Sequence, residues 1–199
     1  RRVRKALKIR RVGHAGTLDP LATGVLPVAV GEGTRIVQFL MAGGKTYRAT
    51  MKLGEITDSQ DAEGNTRERR SVPEFGREAI ERACGDFIGD IMQIPPMFSA
   101  LKKGGIPLHR LARQGIEVAR EPRPVHLSRI CVTDVQLPYV TFEVDCSKGT
   151  YVRTLCHDIG LALGPGAHLT ALRRTRNGSF GEDECIGLEA LEADQASPP

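Results

Sequence analysis

The sequence predicts an α+β fold: a mixed, largely antiparallel sheet flanked by helices. Residues 45 to 53 and 140 to 147 alternate apolar and polar side chains, which is the two-residue period of half-buried strands. Two other stretches carry the 3.6-residue period of helices, and strands and helices mix without strict βαβ alternation.

In chain order, the apolar run ending near Val30 reads as a strand and residues 34 to 41 as a short helix. In the next strand Tyr47, Ala49, Met51 and Leu53 share one face, with Thr46, Arg48, Thr50 and Lys52 opposite. Residues 58 to 73 are polar and charged and read as a surface connection. Ile80, Ala83, Cys84 and Phe87 fall on one helical face. A later strand turns Val140, Phe142, Val144 and Cys146 one way and Thr141, Glu143, Asp145 and Ser147 the other. Val152, Leu155, Cys156, Ile159 and Leu163 mark a further helix, which Gly164-Pro165-Gly166 stops. No internal repeat is found. Residues 1–192 are expected to form one domain, and residues 193–199 a tail or the start of a linker.

The chain has 199 residues, 40% hydrophobic and 26% charged, enough for a real core. Aromatic residues are few and Trp is absent, so that core must rest on Leu, Ile, Val and Ala. The net charge of +4 is modest, but its distribution is not. Arg1, Arg2, Arg4, Lys5, Lys8, Arg10 and Arg11 open the chain with no acid among them, and further basic groups gather at Lys102-Lys103, Arg110 with Arg113, and Arg173-Arg174-Arg176. Such local fields suit a surface that tracks phosphates, or simply a solvated basic face. The 5 cysteines are odd in number, scattered, and lack a Cys-x-x-Cys pair, which argues against a disulfide framework or a zinc site and for a reducing cytoplasm. Cys156-His157 reads as a core Cys beside a surface His. No segment reads as a signal peptide or a bilayer span.

The densest local signal is Gly13-His14-Ala15-Gly16-Thr17-Leu18-Asp19-Pro20-Leu21-Ala22-Thr23-Gly24. Glycines permit tight bends and close approach, and Asp-Pro favours a turn, so the loop presents Asp19 at the mouth of a strand. Taken alone, Asp19 is a turn former or helix cap. Gly31-Glu32-Gly33-Thr34-Arg35 could be a phosphate loop at a helix start, but Glu32 would repel the phosphate.

The Asp19 loop resembles the catalytic motif of the TruB family of tRNA pseudouridine synthases. Lys45-Thr46-Tyr47-Arg48, then Leu53-Gly54-Glu55-Ile56-Thr57-Asp58-Ser59-Gln60-Asp61-Ala62-Glu63-Gly64, follow in that family's order. So do Gln93-Ile94-Pro95-Pro96-Met97-Phe98-Ser99-Ala100-Leu101-Lys102, Ala112-Arg113-Gln114-Gly115-Ile116, and Cys146-Ser147-Lys148-Gly149-Thr150-Tyr151-Val152-Arg153-Thr154. Gly166-Ala167-His168-Leu169 with Leu172-Arg173-Arg174 closes the series. Leu21-Ala22-Thr23-Gly24-Val25-Leu26-Pro27 is more similar to the stand-alone bacterial form than to guide-RNA-dependent relatives. Phe98 stands where the family often has Tyr, and His109 where an aromatic is common. The Lys-Pro-x-Gly strand ahead of the loop and the carboxy-terminal RNA-binding extension are not found, so the sequence is expected to be either a piece of a longer protein or a short member.

The resemblance implies isomerisation of a uridine in the T-loop of tRNA to pseudouridine, with no cofactor and no metal. Asp19 would be the catalytic carboxylate, Arg153 the guanidinium that keeps it ionised, and Tyr47 the ring that stacks on the extruded uracil. Tyr151 and Leu172 would line the base slot, and His14 would enter the gap left by the flipped nucleotide. Lys102, Lys148, Arg173 and Arg174 are candidate phosphate contacts. The expected partner is the T-arm stem-loop, with no membrane, no obligate protein partner and a monomeric enzyme. The alternative is a non-catalytic RNA-binding or RNA-folding protein on the same scaffold, which would need no carboxylate at the loop tip.

Overall fold

The computed structural model describes residues 1–193. The strands are β1 (Val12–His14), β2 (Ala22–Gly24), β3 (Val28–Val30), β4 (Lys45–Leu53), β5 (Glu55–Thr57), β6 (Thr66–Arg69), β7 (Gly89–Gln93), β8 (Lys102–Lys103), β9 (Ile106–Pro107), β10 (Arg123–Gln136), β11 (Tyr139–Cys146), β12 (Ala167–Asn177) and β13 (Phe180–Gly181). The helices are α1 (Arg2–Ala6), α2 (Val37–Leu40), α3 (Arg77–Gly85), α4 (Leu108–Arg113), α5 (Val152–Leu163) and α6 (Leu188–Ala193), with 3-10 turns at Gly31–Ile36 and Glu182–Glu184. The β1–β3, β10–β11, β10–β7, β12–β13, β5–β6 and β8–β9 ladders are antiparallel and helices flank the strands, so the α+β expectation holds. The expected tail lies outside the described residues, apart from Ala193 at the end of α6. Among the described residues no helix is long and apolar enough to cross a membrane.

The described residues divide into two compact units, residues 48–172 and residues 1–47 with 173–193. In the first, β12, β4, β11, β10 and β7 lie side by side in that order. Alternation on β4 and β11 works as the sequence demands: Ala49, Met51, Leu53, Val140, Phe142, Val144 and Cys146 are buried. Val132 pairs with Phe142 and Ile130 with Val144, and bulges on either side of this stretch bend the long strand β10.

Helix α5 closes this core with Val152, Leu155, Cys156 and Ile159, all buried. Burying each of its larger aliphatic side chains contributes about 1.5–3 kcal/mol. Its entry is tied down by Gln93, whose side chain accepts from Tyr151 N (2.8 Å) and donates to Tyr151 O (3.0 Å). Its exit is Gly164 at φ +106, a backbone state that glycine adopts readily, and the Gly166 N–H returns to Gly160 O at 2.8 Å.

Residues 58–73 are not the plain surface connection that their polarity predicts. They contain β6, paired with β5, and they bury Ser59 and Asp61. Polarity misleads here because those side chains are satisfied inside the protein instead of by water.

The other unit contains the β1–β3 ladder, in which Val12 faces Val30 and His14 faces Val28. In it, the last part of β12 carries β13 on one side and pairs with β2. Helix α1 packs with α6, where Arg2 meets Glu189 and Glu192.

Candidate active-site residues

Asp19 sits half-buried on the turn between β1 and β2, and Ala22 N donates to its carbonyl at 2.8 Å. The turn expected of Asp-Pro is therefore formed. The loop is held from β12. Arg174 donates through Nε to Val25 O (2.7 Å) and through Nη2 to Gly16 O (3.1 Å), while Asn177 Nδ2 donates to Ala15 O (2.7 Å). Val25 N donates in return to Arg174 O at 2.8 Å.

Gly24, at φ +97, lets the two chains meet: a β carbon there would fall 2.2 Å from Arg174 O. The loop glycines thus make room for protein backbone and side chains, Gly24 for Arg174 above all, and not only for a ligand.

Arg174 is 1% exposed, so the expectation that it meets a phosphate gives way to an internal role. Arg173 beside it is exposed and pairs with Glu182. His14 is exposed at the end of β1, and Tyr47 lies buried on β4. Tyr47 is placed as the alternation predicts.

In residues 48–172 the central charge is Arg153, on the first turn of α5 and 5% exposed. Its Nη2 donates to Phe98 O at 2.6 Å, and its Nη1 lies 3.3 Å from Asp61 Oδ2. The guanidinium carbon stands 5.8 Å from the centre of the Tyr151 ring, within cation–π range. Asp61, 2% exposed, has its other oxygen occupied by Ser59 Oγ (2.5 Å) and Glu63 N (3.1 Å). The second of these is an Asx turn. Gln60, at φ +66, accepts from Thr154 Oγ1 on α5 at 2.7 Å. A buried ion pair is stable only when such further bonds satisfy its remaining polar atoms, and here they do so for Asp61.

Asp61 has no role in the sequence reading, although it falls inside a quoted motif. The available signal is the density of Asx- and Ser-turn formers in Asp58-Ser59-Gln60-Asp61. Phe98 contributes its carbonyl, so the hydroxyl lacking relative to Tyr does not touch this contact. A cavity of about 470 Å³ is bordered by Gln60, Arg67, Phe98, Glu117, Arg120 and His157. His157 is only half-exposed, and burial lowers its pKa. Leu172 is buried, while Lys102 and Lys148 are exposed.

Known structures share this α+β scaffold. The chain is similar to the solved Cbf5–Nop10–Gar1 complex (37% identity, TM-score 0.71, 92% of this chain and 45% of that one). It is also similar to an archaeal box H/ACA Nop10–Cbf5 complex (32% identity, TM-score 0.71, 98% of this chain and 48% of that one).

Residues 4–152 match the model of the TruB family pseudouridylate synthase N-terminal domain, and residues 153–197 that of the tRNA pseudouridylate synthase B C-terminal domain. The chain belongs to the TruB family. Relatives named tRNA pseudouridine synthase B include those of Syntrophotalea carbinolica (53% identical over 96% of this chain and 62% of that one) and Geobacter sulfurreducens (50%, over 96% and 63%). Another, from Opitutus terrae, is 47% identical over 96% of this chain and 80% of its own. The chain thus spans about three fifths of the length of the first two relatives.

Proposed function

We propose that this chain isomerises a uridine in the T-loop of tRNA to pseudouridine, with residues 1–192 acting as one catalytic domain. The observation that carries the reading is Asp19: a half-exposed carboxylate on a turn whose flanks are fixed, in a chain of the TruB family. A purely RNA-folding role gives no reason for a carboxylate at that tip.

The reaction breaks the bond between uracil N1 and ribose C1′ and joins C1′ to C5. C5 gives up its proton and N1 ends protonated, so atoms and charge balance without an outside reagent. Asp19 supplies the negative charge near C1′. Arg153 is the counter-charge that keeps this carboxylate ionised, and its fixed guanidinium fits that task better than a mobile one would. Tyr47 stacks on the extruded base, a contact of about 1–3 kcal/mol. Tyr151 and Leu172 line the slot, and His14 fills the gap that the flipped nucleotide leaves. Lys102, Lys148 and Arg173 meet phosphates, setting affinity and its salt dependence and leaving base choice to the slot. The enzyme acts as a monomer in the cytoplasm, without an obligate protein partner.

Tritium release from a T-arm stem-loop labelled at uracil C5 tests this reading. The unsubstituted chain is expected to release label and Asp19→Asn none above background, while both bind the stem-loop within a few-fold. Turnover by Asp19→Asn equal to that of the unsubstituted chain would overturn it.

A further inference from the structure

The side chains of Arg174 and Asn177 reach the same loop from one strand. Arg174 is among the largest fully buried side chains, and among the described residues no carboxylate pairs with it. Burying a guanidinium without a counter-ion costs several kcal/mol relative to a hydrophobic side chain of similar volume. What Arg174 gains is two carbonyls: Gly16 O, three residues before Asp19, and Val25 O, six residues after it. Asn177, 1% exposed, takes a third at Ala15. These bonds leave residues 17 to 24 as the span between two fixed ends, with the Asp19 turn inside it.

We propose that Arg174 and Asn177 are positioning residues that preset the Asp19 turn. A planar fork bonded to two carbonyls fixes their separation and relative orientation, which an ammonium point charge does not. The loop therefore needs no ordering when substrate arrives, and the carboxylate is already held where a sub-ångström placement decides the rate. The proposal rests on the isomerase reading of Asp19. It also reassigns Arg174 from contacting RNA to shaping the loop that contacts it.

The test uses the full chain and its Arg174→Lys and Asn177→Ala variants. Turnover of the T-arm stem-loop is measured well below each variant's unfolding midpoint, and RNA affinity across a salt series. Loss of positioning predicts that kcat falls roughly ten- to a hundredfold. KM and RNA affinity should stay within threefold, with the salt dependence of binding unchanged. A phosphate contact predicts the reverse for Arg174→Lys: weakened binding at unchanged kcat. A merely structural role predicts a lowered unfolding midpoint with kcat intact in the folded fraction. Either of these two results overturns the proposal. Should Arg174→Lys not fold, Asn177→Ser, which trims one bond to the same loop, is read by the same criteria. If the unsubstituted chain itself releases no label, the isomerase reading fails first, and that outcome is distinct from a normal kcat in the variants.

Discussion

The Asp19 loop and the Arg153 centre each present a charged side chain, and they are built in opposite ways. In the loop, the fixing bonds go to backbone carbonyls at the two ends, and the carboxylate rides half-exposed between them. In the centre, the charged group itself is buried and gripped by the Asp61 carboxylate, the Phe98 carbonyl and the Tyr151 ring. In the first design, the residues that fix the backbone are not the one that carries the carboxylate. In the second, one guanidinium is both the charged group and the anchor.

Substitutions should separate the two designs. Asp19→Asn is expected to lower turnover by about a thousandfold or more, equivalent to at least about 4 kcal/mol of barrier. The turn itself should persist in this variant, because its backbone bonds remain. Asp61→Ala should do the opposite first. Removing the carboxylate from a buried guanidinium costs about 3–5 kcal/mol of stability, read as a lowered midpoint in urea. An Asp61→Ala protein as stable as the parent would remove the contrast.

The loop's supports can be broken without touching its charge. Gly24→Ala places a β carbon against Arg174 O at a positive φ, and is expected to cost about 2–4 kcal/mol. Thermal unfolding measures the loss, and activity should fall with it while Asp19 is intact. A variant that unfolds at the parent's temperature would show that β2 and β12 can move apart freely.

Much of this was readable in the sequence, for physical reasons that differ by region. Strict alternation marked β4 and β11, because both strands bury one face only. Helix α5 was bounded correctly by its apolar period and by Gly164, since both signals are local. The turn at Asp19 was readable because Asp-Pro among glycines favours one, whereas the role proposed for its carboxylate came from the family resemblance. Asp61 was not, because a buried carboxylate and a solvated one look alike in a polar stretch, and only the fold supplies Arg153. Arg174 was misread for the same reason: a basic cluster does not reveal which of its members turns inward. Asn177 left no signal at all, since its partner is a backbone carbonyl.

The smallest expected effect asks what a half-buried carboxylate costs when no cation answers it. Asp158 lies on α5, five residues beyond Arg153, and burial pushes its pKa up from 3.8 to about 6. Among the described residues its side chain has no hydrogen bond or ion pair, unlike that of Asp61. The folded protein thus holds this proton to higher pH than the unfolded chain does. The contribution to stability is greatest below about pH 4, falls as pH rises toward 6, and is level above that. Asp158→Asn should therefore be more stable than the parent by about 1–3 kcal/mol at pH 7–8, with the gap closing below about pH 4. Other carboxylates titrate alike in both proteins, so the difference between their urea midpoints across pH isolates this one group. Equal midpoints at pH 8 would mean that water or a neighbouring dipole already answers the charge, and that α5 tolerates burial of an acid as easily as it holds Arg153.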